Sequence, residues 1–180
     1  MNKKNINYII LTLLWLVVFS SCDKEEDPAI EIDVSTQWNI DPIGQVNTAP
    51  NSDQWNKKNF SASELSLFAS LDTTSLAGTT TPVTIRDSLN YPFPNPFGNY
   101  HLMAFKFNDG FSGEVVLKYV IVDKSFNVVD RKVGRVSANS GYGAISMAPA
   151  LTPGKYRLYY TLSSQADPHF YQSWGNIQKL

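Results

Sequence analysis

The run Gly113 to Asp123, GEVVLKYVIVD, most narrows the folds open to this chain. In extended backbone it puts Val115, Leu117, Tyr119 and Ile121 on one side and Val116, Lys118, Val120 and Val122 on the other. β-Branched residues at this density favour a strand over a helix. Segments of the same kind follow one another from about residue 60. They are ELSLFASL (64–71), TPVTIRDSL (81–89), YHLMAFKFN (100–108), FNVVDRKVGRVS (126–137), YGAISMAPA (142–150), GKYRLYYTLSS (154–164) and HFYQSWGNIQK (169–179). In the first of these, Leu and Ala leave a helix open as well. In 100–108, Met103, Phe105 and Phe107 alternate with Leu102, Ala104 and Lys106.

Turn residues separate these runs at short intervals: Asn108-Asp109-Gly110, Asp123-Lys124-Ser125, Ser140-Gly141, Thr152-Pro153-Gly154 and Ala166-Asp167-Pro168. No helical period interrupts residues 80–180. Short strands at such spacing predict an all-β, immunoglobulin-like antiparallel β-sandwich over 61–180. It would lack the Cys…Trp…Cys signature, because Cys22 is the only cysteine of the 180 residues.

Upstream, Asn, Asp, Gln, Ser, Thr and Pro dominate residues 28 to about 60, which predicts a flexible polar tether over 22–60. IEIDV (30–34) alternates within it like a short strand. Trp38 and Trp55 have two readings, packing on the edge of the domain or stacking on a glycan.

The first 21 residues are of another kind. Met1-Asn2-Lys3-Lys4 is basic, Asn5 to Ser21 is uncharged, and Tyr8 to Phe19 is almost wholly apolar. A permanent helical span needs about 20 apolar residues, so this run predicts a secretory signal over 1–21.

Cys22 follows two serines and precedes Asp23-Lys24-Glu25-Glu26-Asp27. It has no disulfide partner, too few companions for a zinc site, and acids that would raise its pKa. Modification at the cleavage point remains. Phe19-Ser20-Ser21-Cys22 resembles the lipobox of bacterial lipoprotein precursors, with Phe19 where many members have Leu. The resemblance implies that the Cys22 thiol receives diacylglycerol and that Cys22 becomes an acylated N-terminus. Removing residues 1–21 takes away Lys3 and Lys4 and leaves 13 basic and 16 acidic residues. Residues 28–180 balance at 12 and 12, so the acidic excess sits beside Cys22. A Cys followed by Lys and several acids resembles the surface-export signal of Bacteroidetes lipoproteins; a charged leader that holds the chain off the headgroups is the other reading. Lipid anchoring in the outer membrane, facing the cell surface, is the expected location.

A second resemblance begins at NYPFPNPF (90–97). Tyr91 with Pro94-Asn95-Pro96-Phe97, then Tyr119 to Asp123 with Asn127-Val128-Val129, then Leu151-Thr152-Pro153-Gly154-Lys155-Tyr156, resemble the opening, middle and end of Ig-like modules of the flagellar-hook-cap and secretion type. This implies a shared fold and no shared sorting role. Independently of any family, the three prolines fix φ, favour extended backbone and blunt a sheet edge. They make either a rigid edge with aromatic plugs or a recognition loop.

No enzyme is expected. His101 and His169 are the only histidines, and no nucleophile elbow, phosphate loop or EF-hand spacing accompanies them. Neither cofactor nor metal is expected, and a net charge of −1 invites no nucleic acid. Aromatics make up 13% of the chain and crowd the last two strands. Some belong to the core; Tyr159, Tyr171 and Trp174 are the candidates to face a glycan or protein ligand. The expected role is a non-catalytic binding or assembly module anchored through Cys22, with envelope proteins or glycan as partners. The alternative is an accessory glycan-binding lipoprotein of a polysaccharide-uptake system.

Overall fold

A computed structural model of the chain describes residues 30–50, 53–71, 82–86 and 90–180. The segment 1–21 expected to be a signal, Cys22 and the acids 23–27 lie outside the described residues. Everything below concerns the compact unit from Glu31 to Leu180.

Strands β1 (Asn39–Ile40) and β2 (Val46–Thr48) form a small hairpin. A short helix, Ala62–Ser66, and a 3-10 turn, Ala69–Leu71, follow. The body is β3 (Pro92–Phe93), β4 (His101–Lys106), β5 (Gly113–Val122), β6 (Val128–Asn139), β7 (Tyr142–Met147), β8 (Gly154–Ser163) and β9 (Tyr171–Lys179). These are hydrogen-bonded in the order β3-β4-β7-β6-β5-β8-β9, every neighbour antiparallel. The chain is all-β and sandwich-like. β3-β4-β7 faces β6-β5-β8-β9, but the two layers are one sheet curled into a half-barrel.

The curl has a local cause. β6 and β7 pair only through Ala138–Gly143 and Asn139–Tyr142, beside the turn at Ser140-Gly141. Each then leaves for a different neighbour, β6 for β5 and β7 for β4. On the opposite side, residues 95–97 bring the two outer edges together. Pro92–Phe93 pairs with β4, and two residues later Asn95 bridges Ile40 and Phe97 bridges Lys179 of β9 in parallel. The Asn95 carboxamide pins this crossing. Its Nδ2 donates to the carbonyls of Trp38 (2.9 Å) and Asn176 (3.0 Å), and its oxygen accepts from the Gln178 amide (3.0 Å). The proline-rich stretch is thus a rigid crossing, with Phe97 buried and Tyr91 against Trp38.

Alternation divides the strands into the two faces read from the sequence, and the structure shows which one is the core. Met103 and Phe105 of β4, with Phe107 just after it, point inward to meet Val115, Leu117, Tyr119 and Ile121 of β5, with Tyr156, Leu158 and Tyr160 of β8. Phe105 lies 6.1 Å from Tyr160 between ring centroids. Residues 64–71, for which the sequence leaves strand and helix open, are helical because Ser61 and Glu64 form a capping box. The Glu64 amide donates to Ser61 Oγ, and the Ser61 amide donates to Glu64 Oε2.

The tether expected over 22–60 is a correction. From Glu31 onward this segment is packed on the sandwich. Ile32 N donates to Lys124 O (2.9 Å), Trp55 N to Trp174 O (2.7 Å) and Lys58 N to Gln172 O (2.8 Å). Its apolar residues explain the docking. Trp55 enters the main core, while Phe60, Leu67 and Phe68 cover Val120, Val122 and Tyr159 on the outer face of β5 and β8. Burying rings of this size offsets the entropy of ordering a polar segment.

Candidate functional site

The C-terminal strands set three aromatics apart by strand parity. In the β8–β9 ladder Tyr159 sits opposite Trp174, Arg157 opposite Asn176, and Leu162 opposite Tyr171. Tyr159 and Trp174 therefore leave the sheet on its outer face, whereas Tyr171 leaves on its inner face.

Two of the three expected ligand-facing aromatics are buried, which corrects that expectation. Tyr159 is 1% exposed. Phe60 and Phe126 meet its ring edge-on at 5.6 and 6.0 Å, and Phe68 stacks on Phe60. Burial pushes the Tyr159 hydroxyl above its ordinary pKa, partly opposed by Arg157. Tyr171 is 3% exposed and stacks on Tyr160 at 5.9 Å. Its hydroxyl accepts from Asn90 Nδ2 and donates to the Trp55 carbonyl, and Tyr160 donates to Asn90 O (2.7 Å). This polar knot ties the docked leader to the core and leaves Tyr171 no open side for a ligand.

Trp174 is half-buried and keeps part of its indole at the surface. The Arg157 guanidinium lies 4.0 Å from its ring centroid and the Lys58 ammonium 5.6 Å. Arg157 is held in place, with Nε donating to Asn176 Oδ1 (2.9 Å) and a terminal nitrogen donating to Asp33 O (2.5 Å). Lys155 caps the neighbouring Ser35 carbonyl. The site is an indole framed by a held guanidinium and by the Lys58 ammonium, which lies 3.7 Å from exposed Asp53, and is suited to planar or anionic groups. Trp38 and Trp55 take the packing role: Trp38 lies 5.8 Å from Tyr91, and Trp55 is 2% exposed.

A second feature escapes the linear sequence. Where β6 and β7 diverge, a cavity of about 320 Å³ opens between them over Leu117, Tyr119, Ile145 and Met147, with Lys132 and Gly134 on its β6 side. Tyr119 O–H donates to Asp130 at 3.4 Å, and burial, with the Asp130 charge added, pushes the phenol above its ordinary pKa. Only the pairing of β6 with β5 and of β7 with β4 creates this slot, so no local signal announces it.

Among the described residues no nucleophile–base pair is assembled around either histidine. The His101 ring is fully buried against Phe97, at 4.2 Å between centroids, and neither of its nitrogens has a hydrogen-bond partner. His169 is exposed, after the Asp167-Pro168 turn. Among the described residues no group of three or more His, Cys, Asp or Glu side chains is placed to hold a metal ion.

No protein family and no curated protein matches this chain. Among solved structures, the crystal structure of a glycosyl hydrolase family 2 member from Bacteroides cellulosilyticus DSM 14838 is similar over 53% of this chain, at 18% identity and a TM-score of 0.32. The match spans 14% of the length of that hydrolase chain.

Proposed function

We propose that this protein is a lipid-anchored lipoprotein of the bacterial outer membrane whose β-sandwich is a non-catalytic binding or assembly module facing the cell surface. The observation that carries the reading is Phe19-Ser20-Ser21-Cys22, a lipobox-like end to an uncharged apolar run, with four acids in the next five residues. Each buried methylene of an acyl chain contributes about 0.8 kcal/mol, so several chains on one thiol give durable anchoring. The half-exposed Trp174 and the cavity between β6 and β7 support a role in recognition.

Cells expressing the chain in radiolabelled palmitate test the anchor. The native protein is expected to take up label and partition with detergent, and Cys22→Ala to do neither. Label retained by Cys22→Ala overturns the anchor. Protease shaving of intact cells, with Asp23 to Asp27 neutralised in parallel, tests surface export.

A second reading, accessory glycan binding, rests on Trp174. The part of the indole left at the surface stacks on sugar C–H groups, and the cations over its ring would favour anionic sugars. Glycan-array binding lost in Trp174→Ala supports it. An array with no signal leaves the assembly role, for which co-purification with an outer-membrane complex is the readout.

A further inference from the structure

We propose that the slot between β6 and β7 accepts an extended polypeptide strand, one that alternates acidic and apolar residues and adds to the free edge of β6. This deepens the reading of the domain as a binding module and rests on it.

The edge comes first. From Val128 to Ala138, β6 pairs with β5 on one side. On its other side, among the described residues, the ladder to β7 ends at Ala138. Among the described residues the remaining backbone groups of that edge face no strand, which is the arrangement that strand addition uses, and only the Arg131 amide is taken by a side chain, Asp130 Oδ1 at 2.8 Å. Val128 and Val129, at the open end, are 40% and 41% exposed.

Register then decides what each face of an added strand would meet. Lys132 pairs with Tyr119, and Gly134 with Leu117, both on the inner face. An incoming strand's inward side chains would enter the cavity of about 320 Å³ over Leu117, Tyr119, Ile145 and Met147. That floor is apolar at Leu117, Ile145 and Met147, which would take apolar side chains, and polar at Tyr119, Lys132 and Ser146. Gly134 keeps the wall thin, because a Cβ there would come 2.5 Å from Ile145 Cδ1. Lys132 Nζ reaches across to Ala148 O at 3.5 Å, too long to hold the slot shut.

The outward side chains would meet charge of one sign. Arg131 and Arg135 are exposed on the outer face of β6, two strand repeats apart. β6 carries Arg131, Lys132 and Arg135 against Asp130 alone, while residues 28–180 balance at 12 and 12. Arg135 is shared with Glu114 at 3.4 Å, a half-exposed pair of the kind worth little to stability. Cross-strand opposite charges favour pairing and like charges oppose it. The fitting partner therefore carries acids at alternate positions and apolar residues between them.

The test uses the full-length chain and a fluorescein-labelled nonapeptide of alternating Glu and Val, followed by anisotropy. Controls are a peptide of the same composition with its acids in one block, a Lys–Val counterpart, and an alternating peptide N-methylated along one edge. Saturable binding of the alternating acidic peptide is expected, with at least tenfold loss in Arg131→Glu/Arg135→Glu and upon N-methylation. Ile145→Trp, which fills the cavity, is expected to abolish binding in protein whose thermal melt remains cooperative. Equal binding of the block peptide, or affinity unchanged in these variants, overturns the proposal. So does tighter binding of an anionic oligosaccharide, or a dimer of the chain that Arg131→Glu/Arg135→Glu dissolves, which would assign the edge to glycan or to a second copy. None of these results alters Cys22 acylation, so failure here and failure of the anchor are read separately.

Discussion

Trp55 fills the space that a side chain on Gly175 would need. A Cβ at residue 175 would lie 2.1 Å from the indole Cε2, and the Trp55 amide donates to the carbonyl of the adjacent Trp174. Trp55 adopts a left-handed φ of 66° in this position. A residue 120 positions upstream thus depends on a missing methyl in β9.

Gly175→Ala is expected to expel or tilt the indole and to destabilise the domain by about 2 kcal/mol, an overpacking cost. Trp55→Ala should cost more, roughly 3–5 kcal/mol, because it leaves a large cavity. Urea midpoints measure both. Limited proteolysis should show cleavage within residues 31–60 rising in each variant; leader cleavage unchanged in Trp55→Ala would contradict docking through this ring.

His101 makes stability depend on pH. Burial lowers its pKa from 6.5 to about 4, so the folded state keeps the ring neutral where the unfolded chain protonates it. Between pH 6.5 and 4 the unfolded state binds more protons, and stability falls as the pH falls, by on the order of 3 kcal/mol across the window. His101→Phe should remove that part of the slope. Urea denaturation at several pH values in the native and variant chains measures the difference, and identical slopes would refute the assignment.

Asn95→Ala removes three buried hydrogen bonds at the crossing between the layers. Leaving the Trp38 and Asn176 carbonyls and the Gln178 amide without this partner should cost about 3 kcal/mol. Amide hydrogen exchange should quicken at Phe97, Gln178 and Leu180, whose backbones meet there. Exchange confined to distant strands would argue against the crossing as the closure of the sheet.

Phe60→Ala should uncover Tyr159. Its hydroxyl, held above the ordinary value by burial, should titrate closer to that of free tyrosine. The ultraviolet difference between native chain and variant, followed with rising pH, reports the change. No difference would mean that another group supplies the cover.

β4 to β9 are legible in the sequence because two local signals agree, alternation within each run and turn residues between them. Met103, Phe105 and Phe107 could be placed together on one face from their spacing alone. The two-faced burial of β5 and β8 left a weaker trace. Val116, Val120 and Val122, with Tyr159, Thr161 and Ser163, leave Lys118 and Arg157 as the outer face's charges on β5 and β8, and a strand with two largely apolar faces needs a cover on each. Read that way, Phe60, Leu67 and Phe68 were candidates for the second cover. For Phe60 the polar surroundings pointed to a tether instead, since composition averages over a segment while docking depends on a few rings.

The sequence by itself determined the strand pattern, the sets of side chains that share a face, and the unusual setting of Cys22. These depend on neighbours along the chain, through backbone sterics and a period of two. Tertiary structure decided which outward aromatics stay at the surface, how residues 31–71 lie, and where β6 and β7 part. Those outcomes join residues up to 143 positions apart, as when Asn176 Nδ2 donates to the Asp33 carbonyl. Local propensity carries no record of such pairs; only the packing of the whole domain selects them.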